Sequence, residues 1–148
     1  MNARFSLFDA ADPFFKGLQA TEMELVNSKI PASVRHLMRV RVSQINACDF
    51  CLNMHLAEAR NDGEKQERLD KLVIWRETDI FTPQETSVLA WAEALTHPSK
   101  ENTRQLPELH ANLLKSYDAD TIRSISYDVA LINAWNRVNI GAHNGMEH

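Results

Sequence analysis

The chain has 148 residues, of which 44% are hydrophobic and 24% charged, with a formal net charge of -4. This length and balance fit one globular domain with its own core and exclude a disordered chain. A mildly acidic chain without a basic block is a poor ligand for nucleic acid, and no apolar stretch is long enough to span a bilayer. The start MNARFSLFDAADPFF lacks the cationic-then-apolar pattern of a secretory signal, so the chain is read as cytoplasmic and unprocessed.

Taken in order, the elements are all helices, because no strict alternation lasts long enough for a strand. The first is expected over Pro13–Asn27, with Phe14, Leu18, Leu25 and Val26 on its apolar side. Pro31 marks the start of a second, carrying Val34, Leu37, Met38, Val42 and Ile45 at three- and four-residue steps. Asn46 reads as the N-cap of a third helix, from Ala47 to Arg60, which Asn61-Asp62-Gly63 stops. A fourth is expected over Glu64–Trp75. Thr82-Pro83-Gln84-Glu85 opens a fifth with a capping box, and His97-Pro98 closes it. Pro107–Tyr117 reads as a short sixth. Asp120 or Thr121 opens the last, with Ile122, Ile125, Val129, Ile132 and Trp135 on its buried face. The expectation is an all-α bundle of six to seven helices in one domain over residues 1–148, with Asn144–His148 as a loose tail. Trp75, Trp91 and Trp135 read as core or subunit interface, and they point to a protein that is not a monomer. Asn133, Asn136 and Asn139, at i, i+3 and i+6, are candidates for backbone contacts across a helix pair.

The chemistry concentrates in Cys48-Asp49-Phe50-Cys51-Leu52-Asn53-Met54-His55. On a helix Cys48 and Cys51 share a face, and His55 lies over the same stripe. Cys48 falls in the first turn, where free N–H groups and the helix dipole stabilise a thiolate. A cysteine thiol with a pKa of ~8.5 is only about 3% ionised at pH 7, so a nearby histidine that accepts the proton raises its reactivity. A second thiol then captures the oxidised sulfur as a disulfide before it over-oxidises. One base and two thiols make a peroxide-reducing or disulfide-exchanging site. Two other readings stay open at this level. The cysteines are buried structural residues, or Cys48, Cys51 and His55 hold zinc with His110 or His143 as fourth ligand.

RVSQINACDFCLNMHLAEAR resembles the core motif of the AhpD-like alkylhydroperoxidases, within the wider carboxymuconolactone decarboxylase family. RLDKLVIWRE, FTPQETSVLAWAEALT and ISYDVALINAWNRVNI resemble its supporting segments, and the likeness covers about residues 31 to 141. The resemblance implies an AhpD-like all-α fold that assembles into homo-oligomers, here a trimer or hexamer. It implies that Cys51 attacks an organic hydroperoxide, that Cys48 resolves the sulfenic acid, and that His55 serves a proton relay. A dithiol donor, a lipoyl carrier or a thioredoxin-like protein, then reduces the disulfide. No cofactor, metal, nucleic acid or membrane is expected to take part. A redox-responsive binding protein and a decarboxylase-like enzyme are the alternatives.

Three positions depart from the family pattern. His36 stands where a relay glutamate is common, twelve residues before Cys48; Phe50 replaces a histidine found in some members; and Ala47 replaces a frequent glycine. If the second and third helices fold back as a hairpin, His36 and His55 come roughly level. His36 is therefore expected to take the place of the glutamate beside His55.

Overall fold

The structure, a computed structural model, describes residues 3–143. Seven α-helices follow one another: α1 (Pro13–Val26), α2 (Ala32–Ile45), α3 (Asp49–Asn61), α4 (Gln66–Lys71), α5 (Pro83–Thr96), α6 (Lys100–Leu113) and α7 (Ala119–Ala142). A 3-10 segment, Leu72–Glu77, follows α4 directly. There is no strand among the described residues, and none of their helices is long and apolar enough to cross a membrane. The expected tail, Asn144–His148, lies outside the described residues.

The helices start where side-chain acceptors meet free N–H groups. Asp12 caps α1 by accepting from the N–H groups of Phe14 and Phe15. Thr82 and Glu85 form the expected reciprocal capping box at α5, with Pro83 in the first turn. Asp118 caps α7, two or three residues before the expected opening residue.

Three further boundaries differ from expectation for identifiable reasons. The sixth helix begins at Lys100, because Ser99 accepts from the Asn102 N–H; Pro107 lies inside it and not at its start. Pro107 and Thr103 are both exposed, so water can serve the carbonyl that the proline leaves unpaired. The fourth segment is not one helix, because the chain tightens to 3-10 geometry at Leu72 and departs from helical angles at Ile74 (φ -116°, ψ 32°). That break buries Leu72 and Trp75 against Leu37, Val40 and Leu89 while leaving Val73 and Ile74 exposed. The third helix starts at Asp49 and not at Ala47, as described with the site below.

The centre of the bundle is α2, which packs against α3, α5 and α7. One side carries Val34, Met38 and Val42 into a core with Val88, Ala92, Leu113, Ile122, Ile125, Val129 and Ile132. The other carries Leu37 and Val40 into a second core with Ala59, Leu69, Leu72, Trp75, Phe81 and Leu89. A helix buried on two sides must also bury the polar residues between its apolar stripes, and each of these then needs a partner. Arg35, His36, Arg39 and Ser43 are all buried, and each has one. Trp75 belongs to the core, whereas Trp91 and Trp135 are partly buried against it.

Candidate functional site

The two cysteines sit on a turn between α2 and α3. Asn46 ends α2 and does not cap α3. Ala47 takes a left-handed conformation (φ 52°), so that its N–H reaches the Gln44 carbonyl and the Cys48 N–H reaches back to the Ser43 carbonyl. This is the usual way for a helix to stop on a left-handed residue, and glycine is the usual occupant. A glycine at position 47 would suit this turn, and the alanine here holds it with a Cβ.

Cys48 is extended (φ -88°, ψ 97°) and is itself the N-cap of α3, its sulfur accepting from the Cys51 N–H at 3.4 Å. The cap role falls to Cys48 because the left-handed turn uses up Asn46 and Ala47 as the end of the preceding helix. Cys48 is therefore one residue outside the helix and not on its face, yet its Cα lies 5.4 Å from that of Cys51. That spacing suits a disulfide, and the two sulfurs are bonded. The pair is 2% and 1% exposed.

The Asn46 side chain anchors this turn to α7. Its amide donates to the Asn133 and Asn136 side-chain oxygens, both at 2.9 Å. Asn136 donates to Ser43 Oγ at 3.1 Å, and Asn133 donates to Thr96 Oγ1 at 3.0 Å and to the Val129 carbonyl. Asn133 and Asn136 thus tie α7 to its neighbours through side-chain bonds and not through the expected backbone contacts; the bonds of Asn133 and Asn139 to the Val129 and Trp135 carbonyls run within α7. In front of the turn, Phe50 packs on Phe8, Phe8 on Phe15 and Phe15 on Trp135, with ring centroids 5.6–6.0 Å apart.

His55 lies four residues after Cys51 on the same face of α3 and is buried. Its Nδ1 pairs with Glu58 Oε2 at 2.9 Å, while its Nε2 is buried with no protein partner. The hydrogen bond with His55 holds the Glu58 carboxyl below the usual range against the opposing effect of burial; the charges of His55, Arg39 and His36 help. His36 is also buried, but its Nε2 pairs with Asp62 Oδ2 at 2.6 Å. No hydrogen bond joins His36 to His55 among the described residues. The expected hairpin of α2 and α3 is present, but His55 meets a carboxylate of α3 and His36 the carboxylate just past its end. The His36–Asp62 pair borders a cleft of about 370 Å³ that neither cysteine lines.

Behind the histidines, Arg39 donates through Nε and Nη2 to Asp128 Oδ1 at 2.9 and 2.7 Å, and through Nη1 to Glu22. Burial pushes the Asp128 carboxyl above its usual range, against the pull of Arg39.

Sequence reasoning named Cys48, Cys51, His55 and His36 and missed Glu58, Asp62, Arg39 and Asp128. Glu58 had a signal in its i+3 offset from His55. Asp62 reads in sequence only as part of a helix stop, and Arg39–Asp128 spans 89 residues. Among the described residues no group of three or more His, Cys, Asp or Glu is placed to hold a metal ion. His110 instead faces the Trp91 ring, and His143 ends α7.

Comparison with known proteins places this arrangement. A crystal structure of an Agrobacterium tumefaciens protein of unknown function, described as a candidate antioxidant defence protein AhpD, superposes with a TM-score of 0.91. It is 28% identical, and the match covers 99% of both chains. An uncharacterised peroxidase-related protein from a Silicibacter species shares the fold, with a TM-score of 0.70 at 20% identity over 87% of this chain and 68% of its own. The uncharacterised protein YdfG of Bacillus subtilis is 34% identical over 97% of both chains. YnjA of Escherichia coli, also uncharacterised, is 24% identical over 79% of this chain and 63% of its own. The sequence profile of the carboxymuconolactone decarboxylase family matches residues 12–94, which include the cysteine turn, His55 and the carboxylates of α3. With its paired cysteines and an AhpD-like fold along its whole length, the chain belongs to the carboxymuconolactone decarboxylase family.

Proposed function

We propose that the protein is a thiol-dependent peroxidase that reduces organic hydroperoxides. The observation that carries this reading is the Cys48–Cys51 pair at the start of α3, with a buried histidine one turn further on whose Nε2 is unpaired. In the reduced protein His55 Nε2 takes the Cys51 thiol proton, and the thiolate attacks the outer peroxide oxygen. The O–O bond breaks, the alkoxide leaves as the alcohol with a proton, and Cys51 becomes a sulfenic acid. Cys48 attacks that sulfur, water leaves, and the disulfide forms. The Cys51 N–H and the start of α3 face the Cys48 sulfur, and they favour its anionic form. A dithiol donor, a lipoyl carrier or a thioredoxin-like protein, returns two electrons and two protons by thiol–disulfide exchange.

His36 has an electrostatic part in this reading, since its charge acts on Glu58 beside His55. The working form is a homo-oligomer, a trimer or hexamer, and the reaction takes place in the cytoplasm without cofactor or metal. The test is peroxide consumption by the purified protein with dihydrolipoamide or thioredoxin, compared with Cys51→Ser. Turnover that Cys51→Ser abolishes supports the reading. Disulfide formation without turnover supports a redox-responsive binding protein, and activity surviving loss of both cysteines supports decarboxylase-type chemistry.

A further inference from the structure

We infer that Glu58 is the positioning residue that makes His55 a base, supplying from the histidine's own helix the carboxylate that position 36 lacks. The inference deepens the peroxidase reading and rests on it for the identity of the reaction. Its geometric ground is the pairing of the two nitrogens. Glu58 Oε2 lies 2.9 Å from Nδ1, and a carboxylate only accepts hydrogen bonds, so Nδ1 carries the proton. In the neutral ring Nε2 then holds the lone pair, and Nε2 is the buried atom without a partner. The face of α3 that carries His55 also carries Cys51 one turn earlier. The carboxylate thus fixes the tautomer, holds the ring, and stabilises the imidazolium that forms when the Cys51 proton moves to Nε2.

Stability does not explain the pair. The Glu58 side chain is 47% exposed, and half-exposed ion pairs contribute little to folding. The other charged groups that act on it are His36 and Arg39 from α2, and these carry carboxylates of their own: Asp62, just past the end of α3, on His36, and Glu22 of α1 and Asp128 of α7 on Arg39. Asp62 is engaged by His36, and Glu22 and Asp128 by Arg39, which leaves Glu58 as the carboxylate on His55.

The test reads the thiol and needs neither peroxide nor donor. Reduced wild type, Glu58→Gln, His55→Ala and the double variant are alkylated with iodoacetamide from pH 6 to 10, and Cys51 labelling is followed by peptide mass spectrometry. Glutamine can pair with either tautomer and carries no charge. Glu58→Gln is therefore expected to slow labelling about 10-fold at pH 7, with the gap closing above pH ~9, where the thiol ionises unaided. The double variant should react no more slowly than His55→Ala, because Glu58 acts through that ring. Wild-type rates in Glu58→Gln would overturn the inference. So would an equal slowing in the His55→Ala background, a gap that persists at high pH, or a collapse of the thermal midpoint that marks Glu58 as structural. Failure of the peroxidase reading shows separately, as absent peroxide turnover with the labelling pattern intact.

Discussion

Replacing Ala47 with glycine should stabilise the protein, although glycine substitutions usually do the reverse. Ala47 is exposed and left-handed at φ 52°, so its methyl group is lost from water and not from a core. An alanine in that conformation is disfavoured by roughly 1–2 kcal/mol relative to glycine. Glycine also loosens the unfolded chain, which takes back about 0.4–1 kcal/mol. The net gain is about 0.5–1 kcal/mol. At ~2.1 cal/mol/K of unfolding entropy per residue, a chain this long gains about 2–3 °C in Tm. Gly63 is the natural counter-experiment, because it too is left-handed (φ 92°) and a Cβ built there meets no atom within 4 Å. Gly63→Ala should therefore lower Tm by a similar or larger amount through the backbone alone. Both variants are melted by circular dichroism with excess reductant, so that the disulfide does not contribute. A Tm for Ala47→Gly at or below the parent value, with Gly63→Ala destabilised as expected, would refute the reasoning.

Mild peroxide treatment of the reduced protein should remove two hydrogens from the intact mass, and an irreversibly oxidised Cys51 beside a free Cys48 would mean that Cys48 does not resolve it. Asn46→Ala leaves the buried Asn136 oxygen short of a donor, while the Asn133 oxygen keeps Arg137 Nη1, and should cost about 1–3 kcal/mol in urea unfolding; a loss under 0.5 kcal/mol would show that the anchor is not structural. The Glu93 carboxyl is largely buried, which alone would raise its pKa. Hydrogen bonds from Trp75, Arg41 and Arg76 outweigh that and hold it below the usual range. A depressed folded pKa means stability present above the unfolded value near ~4.3 and lost as pH falls through the folded one. The stability gap between wild type and Glu93→Gln should accordingly narrow below pH ~4, and a gap that is constant from pH 7 to 3 contradicts this. Light scattering at micromolar concentration should return a multiple of the single-chain mass.

Where the sequence was legible, the interactions were local. Thr82-Pro83-Gln84-Glu85 announced α5 to the residue, because every partner of a capping box lies within three positions. The apolar spacing of the second helix was clear for the same reason. The site was legible as a set of residue types and less so as geometry. Asn46 looks like a cap by residue type, but the left-handed Ala47 makes it a helix end and hands the cap to a cysteine. Pro107 looks like a helix start, and only its exposure lets it stay inside a helix. The rise along a hairpin brings His36 level with His55, but it fixes height along a helix and not rotation about it. Its hydrogen bond runs to Asp62, a residue that reads in sequence as punctuation. The Arg39–Asp128 pair, 89 residues apart, leaves no local trace at all.

The asparagines that hold the cysteine turn come from the far end of the chain, 87 and 90 positions after Asn46. A ribosome adding about 5–20 residues per second releases the turn roughly 4–18 s before its anchors. Throughout that interval both thiols are outside the tunnel ahead of the helix that fixes them. A cysteine pair that is buried in the finished molecule thus begins life open to the solvent, without the anchors that later hold its turn.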